Sequence, residues 1–341
     1  MRQLLVTGAA GFIGSHFVKR MLAADDVERI TVLDALTYAG NLDNLGPALD
    51  SPKLTFVHGN ILDTTLVTDL MNRHTAVVHF AAESHVDHSF ADAGTFAATN
   101  VLGTQRLLAA AAKAEVSKFV HVSTDEVYGP LLDGAATEDA PLRPTVLYAA
   151  SKAASDLVAL SYAVTFGLPV CVTRSSNNYG PGQHSEKVIP RFISALMRGD
   201  KVTVHGQGQH VRNWLHVEDN CAGVELVLRD GMPGEAYNLG LGKDLTTREL
   251  TALLLRACDA DWSRVVYVPD RTANDLRYAM DCAKAEKLGY RPCRSLDDGL
   301  AETVAWYLHH PDRRAVQAPS PQPPVPAARI AAPSLERDRV R

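Results

Sequence analysis

Short apolar runs alternate with longer amphipathic stretches through the first half of the chain. The apolar runs are typical of buried strands and cover residues 4–6, 29–33, 54–58, 76–80, 118–122 and 169–173. Helical spacing follows the first run to about residue 24 and returns at residues 91–114 and 148–166. Strands that alternate with crossover helices predict parallel pairing, with helices on both faces. The expected fold class is therefore α/β, with a doubly wound parallel sheet of Rossmann type.

The alternation loosens beyond Arg174. Helices are predicted at residues 188–198, 247–258 and 296–309, and strands at 202–204, 235–239 and 265–268. This pattern predicts a smaller substrate-binding lobe, mainly residues 175–314, interleaved with a dinucleotide-binding domain that is mainly residues 1–174. The last stretch, residues 315–341, is rich in Pro and Ala and has no periodicity. Such a composition predicts a disordered tail.

A glycine-rich loop follows the first predicted strand, with Gly8, Gly11 and Gly14 at intervals of three. Glycines permit a tight turn and close approach of the backbone to a ligand, and a helix N-terminus favours a pyrophosphate. Asp34 ends the second predicted strand, twenty positions after Gly14. A carboxylate there binds a ribose 2′-hydroxyl and repels a 2′-phosphate, and Ala35 supplies no compensating cation. The loop therefore predicts NAD rather than NADP.

Tyr148 and Lys152 are four residues apart on a predicted helix and so share one face. An adjacent ammonium group favours the phenolate and should lower the pKa of the tyrosine. Tyr148 is then a candidate acid–base for a hydroxyl whose carbon loses hydride. The same spacing also arises by chance in helices, so it indicates chemistry only together with its neighbours in the fold.

Asp125 and Glu126 follow the fifth predicted strand and precede Gly129. The carboxyl ends of strands form the edge where open α/β sheets bind ligands. Two close carboxylates tend to separate their pKa values, which leaves one proton donor and one base. The alternative interpretation is an acidic turn in contact with solvent.

Composition excludes several classes of protein. The chain has 341 residues and a net charge of −5, which argues against a nucleic-acid binder. Five cysteines without a Cys-x-x-Cys pair predict neither a disulfide framework nor a zinc site. His85 and His88 lack a third ligand, so no metal is expected. Without a signal peptide or an apolar run long enough for a membrane, the predicted location is the cytoplasm.

Successive motifs extend this picture over residues 2–310. They occupy residues 7–15, 36–41, 81–87, 123–129 and 176–181, together with Tyr148-x-x-x-Lys152 and Arg212 ahead of Trp214. With them the chain resembles the extended short-chain dehydrogenase/reductases and, within these, the dTDP-glucose 4,6-dehydratases. The adjacent Asp125-Glu126 pair is the most specific motif, because related epimerases and decarboxylases usually lack it.

The resemblance implies a reaction in three steps that begins with a nucleotide sugar. Tyr148 would take the proton of the C-4 hydroxyl as hydride passes to NAD, while Lys152 holds the nicotinamide ribose and Thr124 hydrogen-bonds the sugar. Glu126 would then remove the C-5 proton, and Asp125 would protonate the departing C-6 hydroxyl. Hydride would finally return to C-6, which gives a 4-keto-6-deoxy sugar.

The resemblance also implies the contacts of both ligands. The cofactor contacts are Gly8, Gly11, Phe12, Ile13, Gly14, Asp34, Ala35, Thr37, Asn60, Ile61, Ala81, Ala82, Ser84, Thr99, Tyr148, Lys152 and Asn178. The substrate contacts are Ser84, Thr124, Asn177, Lys187, Val188, Thr203, His205, Arg212, Asn238, Arg271 and Asn274. A homodimer is implied as well, formed through a four-helix bundle of the helices predicted at 91–114 and 148–166.

Two alternatives remain open at this point. An NAD-dependent nucleotide-sugar 4-epimerase would need Tyr148 and Lys152 but has no use for Asp125 and Glu126. A non-catalytic NAD-binding scaffold on the same fold would tolerate the loss of all four side chains, and this chain has them all.

Overall fold

The structure is a computed structural model that describes residues 3–85, 89–90, 92–270 and 275–314. The predictions for Arg271, Asn274, His88 and the tail 315–341 concern residues outside these ranges. Among the described residues, no helix is both long enough and apolar enough to cross a membrane.

Seven parallel strands form the main sheet, in the order β10-β6-β5-β4-β1-β2-β3. The strands of the described chain are β1 (Gln3–Thr7), β2 (Arg29–Asp34), β3 (Leu54–His58), β4 (Ala76–His79), β5 (Lys118–Thr124), β6 (Val170–Ser175), β7 (Asn177–Tyr179), β8 (Val202–His205), β9 (Val211–His216), β10 (Ala236–Leu239), β11 (Asp244–Thr246) and β12 (Val265–Val268). The predicted parallel sheet is confirmed.

Helices cover both faces of this sheet. The α-helices of the described chain, in both lobes, are α1 (Phe12–Leu22), α2 (Thr64–Met71), α3 (Ala93–Phe96), α4 (Thr104–Lys113), α5 (Leu147–Phe166), α6 (Val188–Met197), α7 (Val217–Asp230), α8 (Thr247–Ala257), α9 (Ala283–Leu288) and α10 (Leu296–His309). Neighbouring strand residues point to opposite faces. Leu4 therefore packs in the core of α1 and α7, whereas Leu5 packs in the core of α2, α4 and α5. Because both faces are covered, the central strands β4, β5 and β6 are buried along almost their whole length.

The helix predicted at residues 91–114 contains an interruption. Its middle, Ala97–Gly103, is a π-helix that joins α3 to α4. A Cβ on Gly103 would lie 2.5 Å from Cδ1 of Ile61, so this glycine lets the helix approach the loop after β3. Segments of π-helix often occur at functional sites, and Thr99 in this one lines the cleft described below.

The second half of the chain returns to the main sheet before it completes the smaller lobe. The sequence pattern does not predict α7, which packs on α1, and the strand predicted at 235–239 pairs with β6 as the seventh strand. The smaller lobe contains the sheet β11-β9-β7 and the strand pair β12-β8. Tyr179, Phe192 and Trp214 belong to its separate core. The predicted division into domains at residues 174 and 175 stays a prediction.

Candidate active site

A cleft of about 800 Å³ opens at the carboxyl ends of the parallel strands. This is the edge at which open α/β sheets bind ligands. Every residue predicted to contact the cofactor lines the cleft, from Gly8 in the loop after β1 to Asn178 on β7. Thr124, Asp125 and Glu126 line it too. The contacts that these residues make with ligands stay a prediction.

The glycine loop leaves room for a ligand because two of its glycines have no space for a side chain. Gly8 has a φ of +72°, and a Cβ there would lie 2.4 Å from the backbone nitrogen of Ala81. A Cβ on Gly14 would lie 2.7 Å from the carbonyl oxygen of Gly8. Gly11 precedes the first residue of α1, and no side chain caps the helix there. The N–H groups of this helix N-terminus are therefore suited to a pyrophosphate.

Asp34 is held at the end of β2 by two backbone groups. Its Oδ2 accepts a hydrogen bond of 2.8 Å from the nitrogen of Ala10, and its Oδ1 accepts one of 2.8 Å from the nitrogen of Leu36. Burial raises the pKa of this carboxyl, and the two backbone bonds oppose that rise. The glycine cradle, the free helix N-terminus and the fixed carboxylate fit an adenine dinucleotide with a free ribose 2′-hydroxyl.

Lys152 is buried beneath the cleft and is anchored to the neighbouring strand. Its Nζ donates a hydrogen bond of 2.7 Å to the carbonyl oxygen of Val122 on β5. Burial lowers the pKa of Lys152 to about 8, and the charge of Asp156 opposes this change. The lysine therefore remains mainly in its charged form at neutral pH.

Tyr148 has a pKa well above its ordinary value. Burial is the main cause, and the charges of Glu126 and Asp125 add to it, whereas a hydrogen bond with Thr124 opposes it. The prediction that Lys152 lowers the pKa of Tyr148 is therefore wrong in this structure. Burial of the ring and then the two nearby carboxylates stabilise the protonated phenol.

The acidic pair opens a 3₁₀ turn, Asp125–Tyr128, directly after β5. Thr124 caps this turn, and its hydroxyl accepts a hydrogen bond of 3.3 Å from the nitrogen of Glu126. Asp125 is 2% exposed, which rules out the solvated acidic turn. Burial and then the charge of Glu126 raise the pKa of Asp125 to about 7. Burial also raises the pKa of Glu126, while Arg212 and Lys187 oppose the rise.

The predicted substrate residues extend from the acidic pair toward the smaller lobe. The Arg212 guanidinium lies 4.4 Å from the ring centre of Tyr278 and donates a hydrogen bond of 2.9 Å to the carbonyl oxygen of Asp275. Lys187 lines the cleft, and its Nζ donates a bond of 3.3 Å to the carbonyl oxygen of Ser84. The remaining predicted contacts are Asn177, which lines the cleft, Val188 at the start of α6, and Thr203 and His205 on β8.

Asn238 is a correction to the predicted substrate contacts. Its side chain has no exposed surface. Its Nδ2 donates to the carbonyl oxygens of Ala136 and Asp281, each at 2.9 Å, and its Oδ1 accepts from the hydroxyl of Tyr128 at 2.7 Å. With its amide used inside the fold, Asn238 supports the wall of the cleft and does not bind a ligand.

The sequence did not identify Tyr38 as a residue of the site, and it left open whether Asn100 serves packing or function. Tyr38 lines the cleft, its hydroxyl lies 3.4 Å from Oγ of Ser84, and its proximity contributes to the raised pKa of Tyr148. The motif at 36–41 contained it. Asn100 is a support: its Oδ1 accepts from the nitrogen of Glu83 at 2.8 Å, and its Nδ2 donates to the carbonyl oxygen of the same residue at 3.0 Å.

Fold and site together define a class: a dinucleotide-binding α/β enzyme with buried acid–base side chains at the carboxyl edge of its sheet. Residues 5–303 match the family model described as GDP-mannose 4,6 dehydratase, and the chain belongs to this family. Within the described residues, no group of three or more His, Cys, Asp or Glu side chains could hold a metal ion.

Similar proteins of known name span nearly the whole chain. A dTDP-glucose 4,6-dehydratase of Streptomyces antibioticus is 54% identical over 332 residues, which cover 95% of this chain and 97% of that protein. The structure of DesIV, a dTDP-glucose 4,6-dehydratase of Streptomyces venezuelae solved with NAD bound, has a TM-score of 0.88 at 53% identity and covers 92% of this chain and 98% of that one. A UDP-glucose 4-epimerase of Thermotoga maritima shares the fold at a TM-score of 0.84, with 30% identity over 90% of this chain and 99% of that one.

Proposed function

We propose that this protein is an NAD-dependent carbon–oxygen lyase that converts dTDP-glucose into dTDP-4-keto-6-deoxyglucose. The observation that carries the proposal is the buried Asp125, with the half-buried Glu126 next to it, in the same cleft as Tyr148 and Lys152. An oxidation at C-4 needs only the tyrosine and the lysine, whereas the loss of water across C-5 and C-6 needs a second base and an acid. The names of the relatives at about 50% identity supply the choice of nucleotide sugar.

Each acid–base side chain has a separate part in this reaction. Tyr148 takes the proton of the C-4 hydroxyl and must be deprotonated to do so. The hydrogen bond with Thr124, which opposes the raised pKa of Tyr148, and the positive charge of Lys152 both favour that phenolate. Glu126 takes the proton from C-5, which the ketone at C-4 makes acidic. Asp125, with a pKa raised to about 7, holds the proton that the leaving C-6 hydroxyl requires. The glycine loop and Asp34 would hold the pyrophosphate and adenosine parts of NAD, and the bound cofactor would supply the exchange of hydride with the sugar beside Tyr148.

Recognition of the nucleotide diphosphate is assigned to two basic side chains near the acidic pair, Lys187 in the cleft lining and Arg212. Lys187 and Arg212 both lower the pKa of Glu126, so their charges reach the acidic pair. A diphosphate is suited to the same charges, since Arg and Lys form charge-assisted hydrogen bonds with phosphate oxygens. The same two cations would thus bind the diphosphate and moderate the pKa of the base.

The proposal includes a homodimer and a place in the cytoplasm. α5 exposes Leu157, which is 60% exposed, and Val164, which is 88% exposed and lies seven positions further on the same helix face. Phe166, at the end of the helix, is 64% exposed. Leu102, on the π-helix segment, is 44% exposed. Apolar surface of this kind at helix positions marks an interface more often than a surface in contact with water. A second copy that packs against these helices would form the four-helix bundle expected from the resemblance.

The proposed reaction is tested with the variant Glu126→Gln and with dTDP-glucose deuterated at C-4. The variant keeps the shape of the side chain but removes the base, so bound NADH should form and persist. Release of 4-keto-6-deoxy product should fall by roughly two to four orders of magnitude, the usual contribution of a general base. In the unmodified protein the deuterium should appear at C-6, and solvent should supply the hydrogen at C-5.

The matched control is Glu225→Gln, a half-buried carboxylate that pairs with Arg20 and Arg229 on the surface. That variant should turn over at the unmodified rate. Deuterium that returns to C-4 would show an epimerase, and a label that never moves would show a non-catalytic scaffold. Either result, or full activity of Glu126→Gln, would remove the proposed dehydratase.

A further inference from the structure

A chain of buried hydrogen bonds runs behind the cleft and joins the two groups of acid–base residues. It begins at Asp156, which follows Tyr148 and Lys152 on α5 at intervals of four and so lies on the same helix face. Asp156 has no exposed surface, and its Oδ2 accepts a hydrogen bond of 2.9 Å from Nε of Arg174 on β6. The helix that carries the catalytic tyrosine is thereby tied to the sheet through an ion pair.

Arg174 connects this ion pair to the acidic turn. Its Nη1 donates a hydrogen bond of 2.8 Å to the hydroxyl of Tyr128, and its guanidinium carbon lies 5.0 Å from the centre of that ring. The Tyr128 hydroxyl then donates to Oδ1 of Asn238 at 2.7 Å. Tyr128 is the last residue of the turn that begins with Asp125. The chain of hydrogen bonds therefore includes a residue only three positions from the proposed acid.

Each member of the chain keeps one protonation state near neutral pH. Burial alone would raise the pKa of Asp156, but His121 and Arg174 hold it below its ordinary value. Burial would lower the pKa of Arg174, but Asp156 and Tyr128 keep it above the usual range. Burial raises the pKa of Tyr128 to about 12, so its hydroxyl remains a donor. The chain therefore holds fixed positions and does not relay protons.

We propose that Tyr128 is a positioning residue for the elimination step, which it serves by holding the Asp125–Glu126 turn in register with α5. The inference rests on the proposed dehydratase function. The oxidation depends less on this link, because Lys152 is anchored separately to the carbonyl oxygen of Val122. An acid and a base that act on adjacent carbons must both be in place, and a displacement of about 1 Å can cost roughly a hundredfold in rate.

The test is a single turnover of dTDP-glucose by Tyr128→Phe, with two readouts. The absorbance of bound NADH reports the oxidation, and the 4-keto-6-deoxy product reports the elimination. The NADH signal should rise within about twofold of the unmodified rate, and product should form roughly ten- to a hundredfold more slowly. Bound NADH should consequently accumulate in the variant.

The control is Tyr237→Phe, which removes a buried hydroxyl that accepts a hydrogen bond of 2.8 Å from the nitrogen of Met232. This hydroxyl is not part of the chain of hydrogen bonds from Asp156 to Asn238. It should leave both rates unchanged. If the unmodified enzyme makes product, the inference is overturned when Tyr128→Phe slows both steps equally or slows neither. An unmodified protein without product overturns the proposed function and this inference with it. If Tyr128→Phe does not fold, Arg174→Lys serves instead, because lysine can pair with Asp156 but cannot also reach Tyr128.

Discussion

The two ends of the cleft are built by different means. The dinucleotide end, formed by the glycine loop and Asp34, depends on backbone: Gly8 and Gly14 leave space that no side chain could leave, and Asp34 is held by two backbone nitrogens. The acid–base end depends on side chains whose pKa values are shifted by burial and by one another, as Asp125 and Tyr148 show. Steric space along a short segment thus determines what binds, whereas charges from distant segments determine what reacts.

Tyr148→Phe should show the largest difference between the two ends of the cleft, because it should abolish most of the chemistry and leave NAD binding intact. The variant removes the proton acceptor for the C-4 hydroxyl and leaves the backbone of the dinucleotide end untouched. Oxidation of the sugar should fall by roughly two to four orders of magnitude, while NAD binding measured by calorimetry stays near the unmodified value. The control is Tyr162→Phe, which removes a hydroxyl that accepts a hydrogen bond of 2.9 Å from Gln105. This control should show normal turnover. Rapid NADH formation in Tyr148→Phe would contradict the assignment.

Gly8→Ala should disturb the packing of the dinucleotide end and leave the charged side chains of the acid–base end unchanged. The added methyl group meets Ala81 at 2.4 Å in a left-handed backbone, so unfolding in urea should show a loss of about 3 kcal/mol, the sum of strain and overpacking. Gly46→Ala is the matched control, with a φ of +52° and nothing within 4 Å of its Cβ. It should lose only the backbone strain, about 1 kcal/mol. Equal losses in the two variants would show that the contact with Ala81 does not matter.

The pH dependence of the elimination tests the acid–base end with the smallest expected change. Because the pKa of Asp125 is raised to about 7, the carboxyl is mainly protonated below that pH and mainly ionised above it. As a proton donor it should lose effect as the pH rises, and NADH decay in a single turnover should slow by about tenfold between pH 6 and pH 8. Asp125→Asn should be slow at both pH values. An elimination that speeds up over this range would assign the proton donor elsewhere.

Residues close in sequence were predicted well, and those brought together from afar were not. Gly8 and Asp34 follow from spacing after two strands, because both lie at the edge that every parallel strand reaches. The raised pKa of Tyr148 was missed, because its main cause is burial in the folded protein and its second cause is the charge of carboxylates at a different strand end. Asn238 was assigned to the substrate although its partner Tyr128 lies 110 positions away in the chain. Polar partners of this kind cannot be read from periodicity.

The missed helix α7 has a local physical reason. Its acidic first turn, with Glu218 and Asp219, favours a helix start, but Gly223 lies in its middle. Glycine disfavours a helix by about 1 kcal/mol relative to alanine. The structure needs it, because a Cβ there would lie 2.8 Å from Cδ2 of Leu239 and 3.0 Å from Cε2 of Tyr290. Close packing on β10 overrides propensity at this position.

The late return of β10 to the main sheet affects how the protein is made. Its pairing with β6 joins residues 236–239 to residues 172–175, so a segment of about sixty residues must close first, at a modest cost in chain entropy. Until then a nascent chain carries β6 as an unpaired sheet edge, which is a template for association with other chains. Synthesis past residue 239 therefore replaces the six-residue edge of β6 with the four-residue edge of β10, a shorter template for such association.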